Sequence, residues 1–138
     1  MIAQLFAVYH GHRAHSVTSI MSTTSRHGFS AAAPEVMGAL LTPPPATDRA
    51  SRIAHFKKLW TVIGSPGFRA SDAELQATAE REVDRAPYEP NGIGRQMLAI
   101  LGTGTRHEIL RTVTCPALVL HGVDDPLVPV SGGRDTAT

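Results

Sequence analysis

Apolar positions in this chain follow two periods, and the switch between them marks its elements. Ile2, Leu5, Phe6 and Tyr9 fall at helical spacing and predict a helix over 1–9, with Gly11 as its stop. Ser16-Val-Thr-Ser-Ile-Met-Ser22 is rich in β-forming residues and predicts a strand. From Ser30 to Leu41 small residues predict a helix, ended by Pro43-Pro44-Pro45. Thr47 or Asp48 caps the next helix, which runs to about Ile63 and stops at Gly64, with Ile53, Phe56, Leu59, Trp60 and Ile63 as one apolar stripe. Ser71-Asp-Ala-Glu74 is a capping box opening a mostly charged helix to about Arg85. Tyr88-Glu-Pro90-Asn-Gly92 is a turn, and the helix after it carries Met97, Leu98, Ile100 and Leu101 to about Gly102. A short helix over 106–111 leads into Ala117-Leu-Val-Leu120, where apolar residues no longer alternate with polar ones. That run predicts a strand buried on both faces, the habit of parallel sheets. Val130 begins another helix.

Two buried strands joined by a crossover imply a parallel, right-handed connection. The crossover spans roughly eighty residues where about a dozen suffice, so the excess reads as a helical insertion lying over the C-terminal edge of a sheet. The expected class is therefore α/β, divided as 1–24 core, 25–105 helical cap and 106–138 core.

Composition narrows the function classes. With 42% hydrophobic and 18% charged residues, the chain is ordinary for a globular domain. A net charge of +1 gives no reason to expect nucleic acid or an acidic membrane surface. No apolar run approaches the ~18 residues of a membrane span, and no basic region precedes an apolar core as in a signal peptide. The cytoplasm is the default location. The single cysteine, Cys115, excludes an internal disulfide framework and reads as a small packed residue.

The candidate chemistry lies at the end of the second strand, in His121-Gly-Val-Asp124-Asp125-Pro126-Leu-Val-Pro129. A carboxylate just past the C-terminal end of a parallel strand sits where open α/β sheets place functional groups. It is also the setting of an acid that orients a catalytic histidine. Asp124 and Asp125 both qualify. His121 lies on the strand itself and ahead of the acid, so it reads as a packed core histidine. His10, His12 and His15 lack a Cys, Asp or Glu to complete a metal set and read as a surface loop. Lys57-Lys58, Arg49 and Arg52 read as a solvated helix face.

These pieces together resemble the α/β-hydrolase family, closest to the small esterase branch that includes methylesterases acting on aromatic polyketides. The turn from His121 to Pro129 is similar to the family's strand-seven acid turn, and the resemblance implies Asp125 as triad acid, with Asp124 as the alternative. Ser16 to Thr24 resembles strand six, whose polar end faces the active site, and this implies substrate contacts at Met21, Ser22 and Thr23. Met1-Ile-Ala-Gln4-Leu-Phe-Ala resembles the helix after the nucleophile elbow. Residues 25–105 fall where the family carries its cap, which makes Trp60 a further candidate for the substrate wall, although Phe56, Trp60 and Met97 also suit the cap's own core. The implied activity is hydrolysis of a small hydrophobic carboxylic ester by a serine nucleophile, with no metal or organic cofactor and no nucleic-acid or membrane partner.

The family orders its triad as serine, acid, histidine, so nucleophile and base would lie outside these residues. No Gly-x-Ser-x-Gly occurs; Gly64-Ser-Pro-Gly67 has the wrong spacing. Loss of a triad member and the oxyanion hole costs ~10⁴ or more in rate. The expectation is a truncated piece, inactive alone, retaining a two-stranded ribbon with both edges bare. The alternative is a non-catalytic helical binding module, or the relic of a decayed gene.

Overall fold

A computed structural model describes residues 1–28 and 31–138. In chain order the elements are α1 (Ile2–Tyr9), a 3₁₀ turn (Gly11–Arg13), β1 (Val17–Ile20), α2 (Pro34–Leu41) and α3 (Arg49–Ile63). Then follow α4 (Asp72–Arg85), α5 (Gly92–Thr103), α6 (His107–Leu110), β2 (Ala117–Leu120) and α7 (Val130–Thr136).

The expected class, an α/β architecture forming part of the α/β-hydrolase fold, is corrected. The chain is mostly helical, 52% of the described residues lying in seven α-helices and the 3₁₀ turn, with one sheet of two strands rather than the six or seven of a hydrolase. The physical reason is local. Only two short runs carry β-pattern residues, whereas the intervening stretch is punctuated by helix caps. Asp48 accepts a hydrogen bond from Ser51 N at 2.9 Å and opens α3. Ser71 and Glu74 form a reciprocal capping box at the start of α4. Pro34 stands in the first turn of α2, where a missing N–H costs nothing. The predicted start of that helix at Ser30 lies outside the described residues. Gly64 caps the end of α3 with its N–H on the Trp60 carbonyl oxygen, and the position suits glycine because a Cβ there would lie 2.6 Å from that oxygen.

β1 and β2 pair in parallel over four residues, from Val17 opposite Ala117 to Ile20 opposite Leu120. Neither has another neighbour among the described residues. The burial expected of β2 is overturned: Leu118 is 52% exposed and Leu120 47%, and on β1 Ile20 is 57% exposed. α1 packs beside β1, and α7 beside β2, but a two-stranded ribbon has two faces and two edges, and these short helices do not cover them.

The elements pack in two groups. α1, β1, α6, β2 and α7 adjoin one another, and α3 packs on α2 and α4. The apolar core belongs to the helical group, where Ile53, Ala79 and Val83 are buried with Phe56 against them. On α5 apolar side chains face outward, with Leu98 and Leu101 each 70% exposed. Among the described residues no helix is long and apolar enough to cross a membrane.

Exposure of β2 gives a clear expectation for Leu118→Lys. Unfolding stability should stay within about 0.5 kcal/mol of the parent, as for surface substitutions, rather than falling by the several kcal/mol of a lost core leucine. A lysine on a bare edge also blocks strand addition, so sedimentation should show less self-association.

Candidate active site

The parallel register brings the C-terminal ends of both strands side by side: Met21 N donates to Leu120 O at 2.9 Å just beyond the last paired residues. One loop leaves β1 through Met21, Ser22 and Thr23, and another leaves β2 through His121 and Gly122 to Asp125. The acid candidate and three of the four substrate-contact candidates therefore share one end of the sheet.

Asp125 is fixed by its own turn. Its Oδ1 accepts backbone hydrogen bonds from Leu127 N at 2.9 Å and Val128 N at 2.8 Å. Its own N–H donates to Gly122 O at 3.3 Å. Pro126 can follow because the two N–H groups that bind the carboxylate come from the residues after it. Oδ2 stands 3.8 Å from His121 Nε2, beyond hydrogen-bond range. One oxygen thus anchors the side chain and the other is left to accept. Asp124 lies in the same turn and is exposed.

His121 is committed elsewhere. Its Nε2 lies 2.6 Å from Val128 O, so that nitrogen carries the proton and donates it to the carbonyl. Nδ1 is buried without a hydrogen-bond partner among the described residues, against Gly133 of α7. A Cβ on Gly133 would lie 2.4 Å from Nδ1 and 2.7 Å from Cγ. The ring therefore wedges the turn that carries Asp125 onto α7.

Around Met21, Ser22 and Thr23 the backbone is constrained. Met21 has φ 43° and Ser25 φ 60°, both left-handed and costly for residues with side chains. Arg106 holds this loop: its Nη2 donates to Thr23 O at 2.6 Å and Ser25 Oγ at 3.2 Å, and its backbone N donates to Thr24 O at 2.7 Å. Arg106 is 2% exposed, and its Nε also reaches Gln4 Oε1 on α1 at 3.0 Å. Burial lowers its pKa, yet a guanidinium stays charged. Met21 is 53% exposed, whereas Thr23 is tied inward by its carbonyl.

Beside it lies a second polar cluster that the sequence reading missed. The Thr24 hydroxyl donates to Asp135 Oδ2, Arg26 Nη1 lies 3.3 Å from Asp135 Oδ1, and His107 Nδ1 lies 3.2 Å from the same oxygen. The Asp135 and His107 side chains are 2% and 8% exposed. Burial pushes the Asp135 carboxyl up, but hydrogen bonds from Thr24 and Arg26 and the charges of His107 and Arg26 outweigh it and hold it below the usual carboxylate range. Nothing in the sequence of the seven-residue α7 or the four-residue α6 signals such a pair, because it arises only where the two helices pack.

Trp60 does not join the strand-end group. It lies on α3, 43% exposed, with its ring 5.8 Å from that of Phe56. His10 and His12 sit ring to ring at 6.5 Å, and no cluster of three metal-ligating side chains exists among the described residues. Cys115 is half-buried just before β2.

Two expectations follow. Because the folded Asp135 titrates below its unfolded value, its contribution to stability is present above about pH 4 and is lost as pH falls through the folded pKa. The urea midpoint should therefore drop between about pH 5 and 2, and Asp135→Asn should flatten the part of that slope due to this group. Gly133→Ala should cost about 1–3 kcal/mol of stability from forced displacement of His121, read by thermal unfolding.

No protein-family model matches the chain.

Proposed function

We propose that Asp125 is the acid of a serine-type centre that hydrolyses small hydrophobic carboxylic esters. The observation that carries this reading is the division of labour at its carboxylate: two backbone N–H groups hold Oδ1, and Oδ2, 3.8 Å from His121 Nε2, makes no hydrogen bond among the described residues. An acid that orients a histidine needs this arrangement, since one oxygen must fix the side chain while the other receives the imidazole N–H. In such a centre the serine attacks the ester carbonyl, the histidine takes its proton, and the carboxylate holds the histidine's tautomer and steadies the imidazolium. Resemblance of the turn from His121 to Pro129 to the acid turn of the α/β-hydrolase family points to the same role, and Met21 and Ser22 lie at the same end of the sheet. Neither serine nucleophile nor catalytic histidine is assigned among these 138 residues.

The 138 residues alone are expected to show no turnover of p-nitrophenyl butyrate and no labelling by a fluorophosphonate. Joined to a Gly-x-Ser-x-Gly elbow and a downstream histidine, the chain should hydrolyse that ester. Asp125→Asn should then lower kcat about 10⁴-fold with KM little changed, and Asp124→Asn should leave kcat near the parent value. An Asp125→Asn enzyme with undiminished kcat would remove Asp125 from the chemistry.

A further inference from the structure

Among the helices lies a cavity of about 590 Å³, within the roughly 300–1,000 Å³ of small-molecule sites. Its apolar wall includes Leu41, Pro43, Phe56, Leu59, Tyr88 and Ile93. These come from the end of α2, the proline turn after it, α3, and the segment entering α5. No residue of either strand or of the acid turn lines it, so its role is independent of Asp125.

The wall is held open by its own architecture. Arg52 Nη2 donates to Val83 O at 3.2 Å and Ala86 O at 3.1 Å, joining α3 to the end of α4. The same guanidinium lies 5.7 Å from the centre of the Tyr88 ring, which fixes the following segment. Beneath, Phe56 packs on the buried Ile53, Ala79 and Val83. Proline at 43 and 44 stiffens the rim. A pocket kept open by such contacts loses little order on binding, which favours affinity.

Its polar groups decide the ligand. Arg52 and His55 stand one helical turn apart on α3, and Glu82 faces the cavity from α4. Glu89 also lines the wall, but its carboxylate stands 3.7 Å from the Arg95 guanidinium and accepts from Asn91 N at 3.2 Å. That leaves Arg52 to offer donors and Glu82 an acceptor, and the charges of these two balance. A carboxylate would meet Glu82 and an ammonium would meet Arg52, each at a like charge. A hydroxyl both donates and accepts, so it satisfies both.

We propose that this cavity binds an uncharged, largely apolar small molecule bearing a hydroxyl group, with the hydroxyl between Arg52 and Glu82 and the apolar body against Phe56, Leu59 and Ile93.

The neutral dye N-phenyl-1-naphthylamine, whose emission rises in apolar sites, tests this with the whole chain. The dye should bind, decan-1-ol should displace it, and decanoate and decylammonium should each need about tenfold higher concentration, the worth of one hydrogen bond to a charged group. Because Trp60 is the single tryptophan and its ring lies 5.8 Å from Phe56, decan-1-ol should also change its emission. Ile93 is 41% exposed, so Ile93→Arg should fold and abolish binding, with circular dichroism confirming the fold. Glu82→Leu should keep dye binding and erase the preference for the alcohol over the carboxylate. Leu118→Lys, on the exposed sheet, should change nothing. Dye binding lost in Leu118→Lys but kept in Ile93→Arg would place the probe on the strands and overturn the pocket. Equal displacement by alcohol and decanoate in the parent chain would overturn the hydroxyl assignment.

Discussion

A guanidinium taken out of water must have its donors satisfied, and Arg106 meets that demand in a way the strand-bearing half depends on. Its N–H groups go to Gln4 on α1, to Thr23 and Ser25 after β1, and to Gly104 before α6. The partners at Gln4, Thr23 and Ser25 are some eighty to a hundred residues away in the chain, so one side chain closes the long crossover from both sides. Leaving any of these donors unpaired at 2% exposure would cost the desolvation of a charged group. The left-handed backbone at Ser25 lies in the loop these bonds hold, and that at Met21 is held by its own N–H on Leu120 O.

The two halves are stabilised by different physics. Between α3 and α4 the interior is apolar, formed by Ile53, Ala79 and Val83. Around the strands, Gln4, Ser19, Thr24, Arg106, His107 and Asp135 are buried, and Ala7 of α1 is a small apolar companion. Polar networks give direction but little net stabilisation, whereas apolar contact is favourable without orientation. A half held by hydrogen bonds is accordingly the half whose acid sensitivity centres on one carboxylate, Asp135, and whose apolar strands remain at the surface.

This division bears on the two functional readings. Chemistry by Asp125 needs a rigid carboxylate with one free oxygen. The acid turn supplies it through local backbone bonds and through the imidazole of His121 wedged on Gly133. Ligand binding needs walls that do not collapse, and the helical half supplies these through its apolar core and the Arg52 bridge. Trp60, considered for the ester-binding wall, lies with the helices beside Phe56 and away from the strand ends.

Elements whose cause is local were legible in the sequence. The cap at Asp48, the capping box at Ser71 and Glu74, the stop at Gly64 and both strands follow from interactions within a few residues, so composition and spacing suffice. The carboxylate at the end of β2 was legible for the same reason, since its turn closes over four residues. Which surfaces are buried was not. The unbroken apolar run of β2 suggested two covered faces, but covering requires other elements, and the fold leaves Leu118 and Leu120 about half exposed. Nor could spacing bring His107 to Asp135, or Arg52 to Val83 and Tyr88, because such meetings depend on how distant segments pack. The sequence by itself determined the elements and the acid turn; only the tertiary structure decided the polar clamp, the open sheet and the helical cavity, because burial is a property of surfaces brought together and not of any one segment.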